Sequence, residues 1–136
     1  MTETPIATGG CLCGGVRYEV RAPLRDAVAC HCSQCRRTSG NFVTATVVPN
    51  DAFTLTADAT LAWFGSSATA ERGFCSRCGG NLFWRPTTPA ADHIAITAGS
   101  IDPPTGLRLA RHIFVASKSD YYDIADGVPQ HAEWPG

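Results

Sequence analysis

Two stretches share one layout: CLCGGVRYEV at residues 11–20 and CSRCGGNLFW at residues 75–84. Each sets a cysteine pair before two glycines and then a run of strand-forming residues. A glycine directly after a knuckle cysteine suits a turn that needs positive φ, and it lets backbone N–H groups point at sulfur. Two such knuckles facing each other supply two thiolates apiece, the ligand count of a closed tetrahedral zinc site. Gly-Gly alone is ordinary turn punctuation. The cysteine pair ahead of both copies makes the echo informative.

A third cluster, CHCSQCRR at residues 30–37, places Cys30, Cys32 and Cys35 in the pattern C-x-C-x-x-C. All seven cysteines of the 136-residue chain fall in these three clusters. The odd count argues against a complete disulfide framework, and clustering in a reducing compartment points to metal ligation. Seven thiols make one four-cysteine site and leave three. In one partition Cys11 and Cys13 join Cys75 and Cys78, and the triplet stays together. In the other, Cys32 and Cys35 join Cys75 and Cys78 as a zinc-ribbon-like CxxC…CxxC, leaving Cys11, Cys13 and Cys30. Spacing does not exclude the second. The knuckle echo favours the first, and so does locality, because a short loop needs little ordering to converge on one ion.

Three protein ligands plus an exchangeable fourth position is the usual arrangement of a catalytic zinc. Three thiolates make the ion electron-rich, a poor activator of water but well suited to holding an incoming thiol as its thiolate. Arg36 and Arg37 follow at once, as candidates to offset the anionic centre or grip a substrate carboxylate. The competing arrangement closes the triplet with one of the four histidines, His31, His93, His112 or His131. His31, between two ligands, is expected to point away from the ion. His112 is expected to share a strand face with Phe114.

Elsewhere the pattern is β. GVRYEVR alternates with Val16, Tyr18 and Val20 on one face. NFVTATVV, ATLAWF, HIAITAG and RHIFVA are further short runs bounded by turn residues, so about seven to nine strands are expected. Helix is expected only as one turn after Cys35 and another near SDYYDIAD. Trp63, Phe64, Phe83 and Trp84 are expected in the core, with an apolar pocket as the alternative. The predicted fold is mostly β with little helix: one domain over residues 1–136, a zinc-containing complex β-sandwich or barrel. Net charge is −1 and no basic array interleaves with aromatics, which speaks against nucleic-acid binding. No apolar run approaches the length of a membrane span and the start lacks a signal-peptide pattern, so a cytoplasmic protein is expected.

Taken in order, GGCLCGGVRYEV, CHCSQCRRTSG, FCSRCGGNLFW and HIFVASKSDYYDIADGVPQHAEWP resemble the glutathione-dependent formaldehyde-activating enzyme family. The resemblance implies a fold related to zinc ribbons (Mss-four-like) and two zinc ions per chain. One would be closed at Cys11, Cys13, Cys75 and Cys78, and the other open at Cys30, Cys32 and Cys35. It also implies carbon–sulfur lyase chemistry, condensing glutathione or another small thiol with formaldehyde or a similar small aldehyde to give S-hydroxymethylglutathione. In that chemistry Arg36, Arg37 and Arg77 are the arginines nearest the ligands, and His112, Tyr121 and Tyr122 are candidate proton donors. A homo-oligomer is compatible with it. The alternative is a binding module or thiol carrier with two structural zincs.

Overall fold

The alternation at Arg17–Val20 decides which way the N-terminal strands face. In the computed structural model, which describes residues 4–135, strand β1 (Ala7–Gly10) pairs antiparallel with β2 (Arg17–Val20). Val16, Tyr18 and Val20 all turn inward and are fully or almost fully buried. Strand β3 (Ala27–Cys30) leads into α1 (Ser33–Ser39), the single α-helix among the described residues. Then come β4 (Val43–Pro49), β5 (Phe53–Ala57), β6 (Leu61–Ser67), β7 (Ala70–Cys75), β8 (Asn81–Pro86), β9 (His93–Thr97) and β10 (Leu109–Ile113).

These strands form a three-stranded sheet in the order β1-β2-β5 and a seven-stranded sheet in the order β10-β3-β4-β9-β8-β7-β6. Among the named strands the β10–β3 pair is parallel and the other ladders are antiparallel. Neither sheet closes on itself, so the architecture is an open two-sheet arrangement rather than a barrel. The core lies between the sheets. Tyr18 packs edge-on to Phe83 at 5.4 Å between ring centroids, and Phe53 meets the same ring at 5.2 Å. Burying such rings contributes about 1.5–3 kcal/mol each. The Tyr18 hydroxyl is satisfied by Ser100 Oγ at 2.7 Å. A Cβ at Gly9 would lie 2.3 Å from that hydroxyl, so the strand passing over the ring requires glycine there.

The described residues form ten strands where alternation predicts about seven to nine. β1 and β3 are ATGG and AVAC, runs of small residues with no strong period of large apolar side chains. Their pairing comes from their neighbours in the sheets. The helix near Cys35 starts earlier than expected, at Ser33, and the segment SDYYDIAD is irregular rather than helical. That segment is held by side chains: Lys118 Nζ donates to the carbonyls of Ser119 and Tyr122 and sits 4.5 Å over the Tyr122 ring. Phe64 is 58 % exposed, because it points outward from the edge strand β6. No helix among the described residues is long and apolar enough to cross a membrane.

Candidate metal centres

The two knuckles meet as the echo in the sequence requires. Gly14 and Gly79, each directly after a cysteine, have φ of 79° and 77°. Both turns aim an amide at sulfur: Val16 N–H donates to Cys11 Sγ at 3.3 Å and Cys78 N–H to Cys75 Sγ at 3.4 Å. The four sulfurs of Cys11, Cys13, Cys75 and Cys78 lie within 4.8 Å of one another. Cys11 Sγ is 3.7 Å from Cys13 Sγ, and Cys13 Sγ is 3.6 Å from Cys75 Sγ. A tetrahedral zinc with bonds of about 2.3 Å needs sulfur edges of about 3.8 Å. The cluster fits such an ion. The Thr60 hydroxyl at 3.2 Å from Cys75 Sγ, helped by the Cys78 amide, pulls the Cys75 thiol down to about 6, so the sulfur is poised as a thiolate ligand. This cluster joins the turn after β1 to the end of β7 and so ties the small sheet to the large one.

The triplet is built differently. Cys30 ends β3, in register with Val43 of β4 and Ile113 of β10. Cys32 is the N-cap of α1, its sulfur accepting the Cys35 N–H at 3.3 Å. Cys35 lies in the first turn and is buried. Strand end, cap and first helical turn thus bring three sulfurs within 4.8 Å of one another. Hydrogen bonds from Cys30 and Cys35 pull Cys32 down to about 2, while the bonds with Cys32 and Cys35 push Cys30 up. Three sulfurs this close would repel one another if ionised, so a cation among them would relieve the crowding of charge.

No histidine, cysteine or carboxylate joins the triplet as a fourth donor among the described residues. Three of the four histidines are accounted for by their hydrogen bonds. His31 points away, its Nδ1 to the Tyr122 hydroxyl at 2.6 Å and its Nε2 to His112 Nδ1 at 2.9 Å. His112 gives its other nitrogen to Asp126 at 2.8 Å. Both rings of this buried chain are fully engaged. His93 pairs with Asp92 at 3.0 Å. His112 does not share a strand face with Phe114, because Phe114 lies past the end of β10 with φ of 55°.

Cys30, Cys32 and Cys35 open on a cavity of about 1020 Å³ above the outer face of the large sheet. Arg72, from β7, forms part of its wall and is only 7 % exposed. Both of its terminal nitrogens reach Cys35 Sγ at 3.7 Å, and Nη2 also donates to Gln34 Oε1 at 3.4 Å. No carboxylate forms an ion pair with it among the described residues. A buried guanidinium without an anion is strongly unfavourable, so the sulfur cluster is its counter-charge. Nothing in AERGFC marks this residue in the sequence. The alternation of β7 sends Ala70 and Arg72 to the cavity and Gly73 and Cys75 to the opposite face.

The arginines adjacent in sequence lie elsewhere. Arg36 and Arg37 occupy the last turn of α1, where positive charge complements the helix dipole, and neither lines the cavity. Arg77 is exposed on the second knuckle. His112, Tyr121 and Tyr122 are also absent from the lining; Tyr121 donates to Asn41 Oδ1. Of the four aromatics, Phe83 and Trp63 stack at 6.0 Å against the core, while Trp84 faces the cavity.

The segment HIFVASK…GVPQHAEWP, which metal ligation does not explain, also has a place. Its C-terminal part returns to pair with β10: His112 N–H donates to Pro129 O at 2.8 Å, and Val115 N–H to His131 O at 3.0 Å. The pairing delivers Phe114 and Trp134 to the cavity rim.

Fold and site define a class: a two-sheet β domain with one four-thiol cluster between its sheets and one three-thiol cluster at a cavity. The chain belongs to the glutathione-dependent formaldehyde-activating enzyme family, whose profile matches residues 6–117. A Penicillium rubens protein that carries the same family name provisionally is 39 % identical over 79 residues, 55 % of this chain. The match spans 41 % of that relative's length. The crystal structure of a Rhodobacter sphaeroides protein has the same fold, with a TM-score of 0.56 and 20 % identity over 91 % of this chain and 98 % of that one.

Proposed function

We propose that this chain is a carbon–sulfur lyase-type enzyme that joins a small thiol such as glutathione to an aldehyde, and that it uses two zinc ions. The observation that carries this reading is the triplet of Cys30, Cys32 and Cys35, with no fourth donor from the chain and a cavity in front of it. Bound zinc supplies a Lewis-acidic seat that holds a thiol as its thiolate. The chain's own residues do the rest. Arg72 offsets the negative charge of the sulfurs and makes room for one more anion. Gln34 orients Arg72 through its amide oxygen. The apolar cavity walls exclude water, which strengthens these charge interactions. Arg25 and Arg72 are the arginines of the lining, and in this reading they take the place of Arg36 and Arg37 toward substrate. A reducing compartment such as the cytoplasm keeps the thiols in service.

The test is a metal count per chain before and after mild chelation, with and without glutathione. Two metals are expected, one labile and responsive to thiol. Two inert metals, with Cys32→Ser destabilising as much as Cys75→Ser, would instead make both clusters structural and the domain a binding module.

A further inference from the structure

The cavity in front of the triplet is far larger than formaldehyde requires. Its floor is the outer face of the seven-stranded sheet. On β4 the residues Val43, Ala45 and Val47 line it, while Thr46 is buried on the other side and Val48, though it borders the cavity, belongs to the core. Val28 of β3, Ala95 of β9 and Trp84 of β8 extend the same apolar surface. The polar groups of the lining lie elsewhere: Arg72 and Gln34 beside the sulfurs, Ser67 and His93 at strand ends, and Arg25, Thr69 and Asp92 in the loops next to strands.

Two aromatic side chains close the cavity. Phe114 holds a left-handed backbone, φ 55° and ψ 37°, which an aromatic residue seldom adopts. Residues kept in such conformations cluster at ligand clamps. Trp134 is 61 % exposed although it borders the same space. A large ring left in water beside an apolar floor is a wall that lacks its ligand.

We propose that the aldehyde partner of this site carries a bulky apolar body, branched aliphatic or aromatic, which lies on the valine and alanine floor between Trp84, Phe114 and Trp134. The inference rests on the thiol–aldehyde reading above and names its substrate class. The thiol sulfur, having lost its proton, attacks the carbonyl carbon. A carbon–sulfur bond forms, the carbonyl π pair moves to oxygen, and that oxygen takes up one proton. The product is a hemithioacetal and no electron is gained or lost. Arg25 and Asp92 in the lining offer a cation and a carboxylate to a charged thiol such as glutathione, which in this inference leaves the apolar floor to the aldehyde.

The experiment follows hemithioacetal formation by NMR exchange, with the zinc-loaded protein and glutathione. The aldehydes are formaldehyde, acetaldehyde, 3-methylbutanal and benzaldehyde. Acceleration is expected to rise with apolar size, about four-fold in kcat/KM for each buried methylene. Ala95→Phe, which fills the floor, is expected to lower the preference for 3-methylbutanal over formaldehyde by at least about ten-fold. Benzamide, which cannot react, is expected to quench tryptophan fluorescence of the protein as isolated, and Trp84→Phe and Trp134→Phe each to remove part of that signal. Acceleration with formaldehyde alone, and no benzamide response, would overturn the inference while leaving the thiol–aldehyde reading intact. No acceleration with any aldehyde in protein holding two metals would overturn both. A dimer in sedimentation that Ala95→Arg dissolves would give the floor to a second copy of the chain and also overturn the inference.

Discussion

The two cysteine clusters use the same side chain for different ends. The four-thiol cluster draws its sulfurs from two knuckles 62 residues apart at Cys13 and Cys75, so whatever it binds holds the sheets together. The triplet draws its sulfurs from one strand end and one helix start, elements that the β3–β4 and β3–β10 ladders already hold. In the proposed reading the first cluster would turn binding energy into folding energy, and the second would gain or lose a ligand without loosening the fold. Sequence separation of the ligands, more than their number, separates a staple from a workplace.

That contrast breaks if the clusters respond alike to removal of one sulfur. Cys75→Ser is expected to abolish the cooperative thermal transition, because a structural zinc centre contributes on the order of 10 kcal/mol. Calorimetry checks it. Cys32→Ser is expected to fold with a melting temperature close to the wild type, to hold one metal instead of two, and to lose activity by at least about 100-fold. Metal analysis beside thermal scans reads both halves.

Arg72→Met sharpens the contrast within the triplet. Removing the cation from the cavity wall is expected to lower thiol-dependent kcat/KM by about 10–100-fold and to hasten loss of one metal to a chelator, with Arg72→Lys restoring part of each. Backbone glycines offer a smaller and matched comparison. An added Cβ at Gly79 or Gly40 meets no atom within 4 Å, so the cost lies in the left-handed backbone alone, with φ of 77° and 81°. Alanine at either is expected to destabilise by about 1–2 kcal/mol in denaturant titration. Only Gly40, which ends the helix of the triplet, is expected to change the lability of the second metal.

The smallest effect lies beside the staple. Arg17 at 2.6 Å, then Thr8, holds Asp102 below the ordinary carboxylate range. A depressed carboxylate stabilises the fold above its unfolded value, and that contribution fades as pH falls through the folded one. Both partners are partly exposed, so the gain is below about 1 kcal/mol. The difference in melting temperature between wild type and Asp102→Asn is expected at neutral pH, to begin shrinking near the ordinary carboxylate value of about 4, and to vanish only at lower pH, beneath the depressed folded value.

Reading these clusters from sequence succeeds where the signal is local. The glycine after each knuckle cysteine, the alternation of Val16, Tyr18 and Val20, and the short span of Cys30 to Cys35 each act over a few bonds. They made the β character and the grouping of the sulfurs legible. Adjacency misled elsewhere: Arg36 and Arg37 sit next to a ligand in the chain yet lie outside the cavity, and Arg72, which reaches Cys35 from another strand, carries no mark.

By itself, then, the chain's order of residues determined the β character, the two knuckle turns and the preferred grouping of the thiols, since these follow from backbone sterics and short loops. Only the tertiary structure decided which histidines are spent on one another, which arginine faces the sulfurs, and that an apolar floor spreads before them. Those outcomes depend on strand order and register across the seven-stranded sheet, where partners far apart in the chain are set side by side by packing.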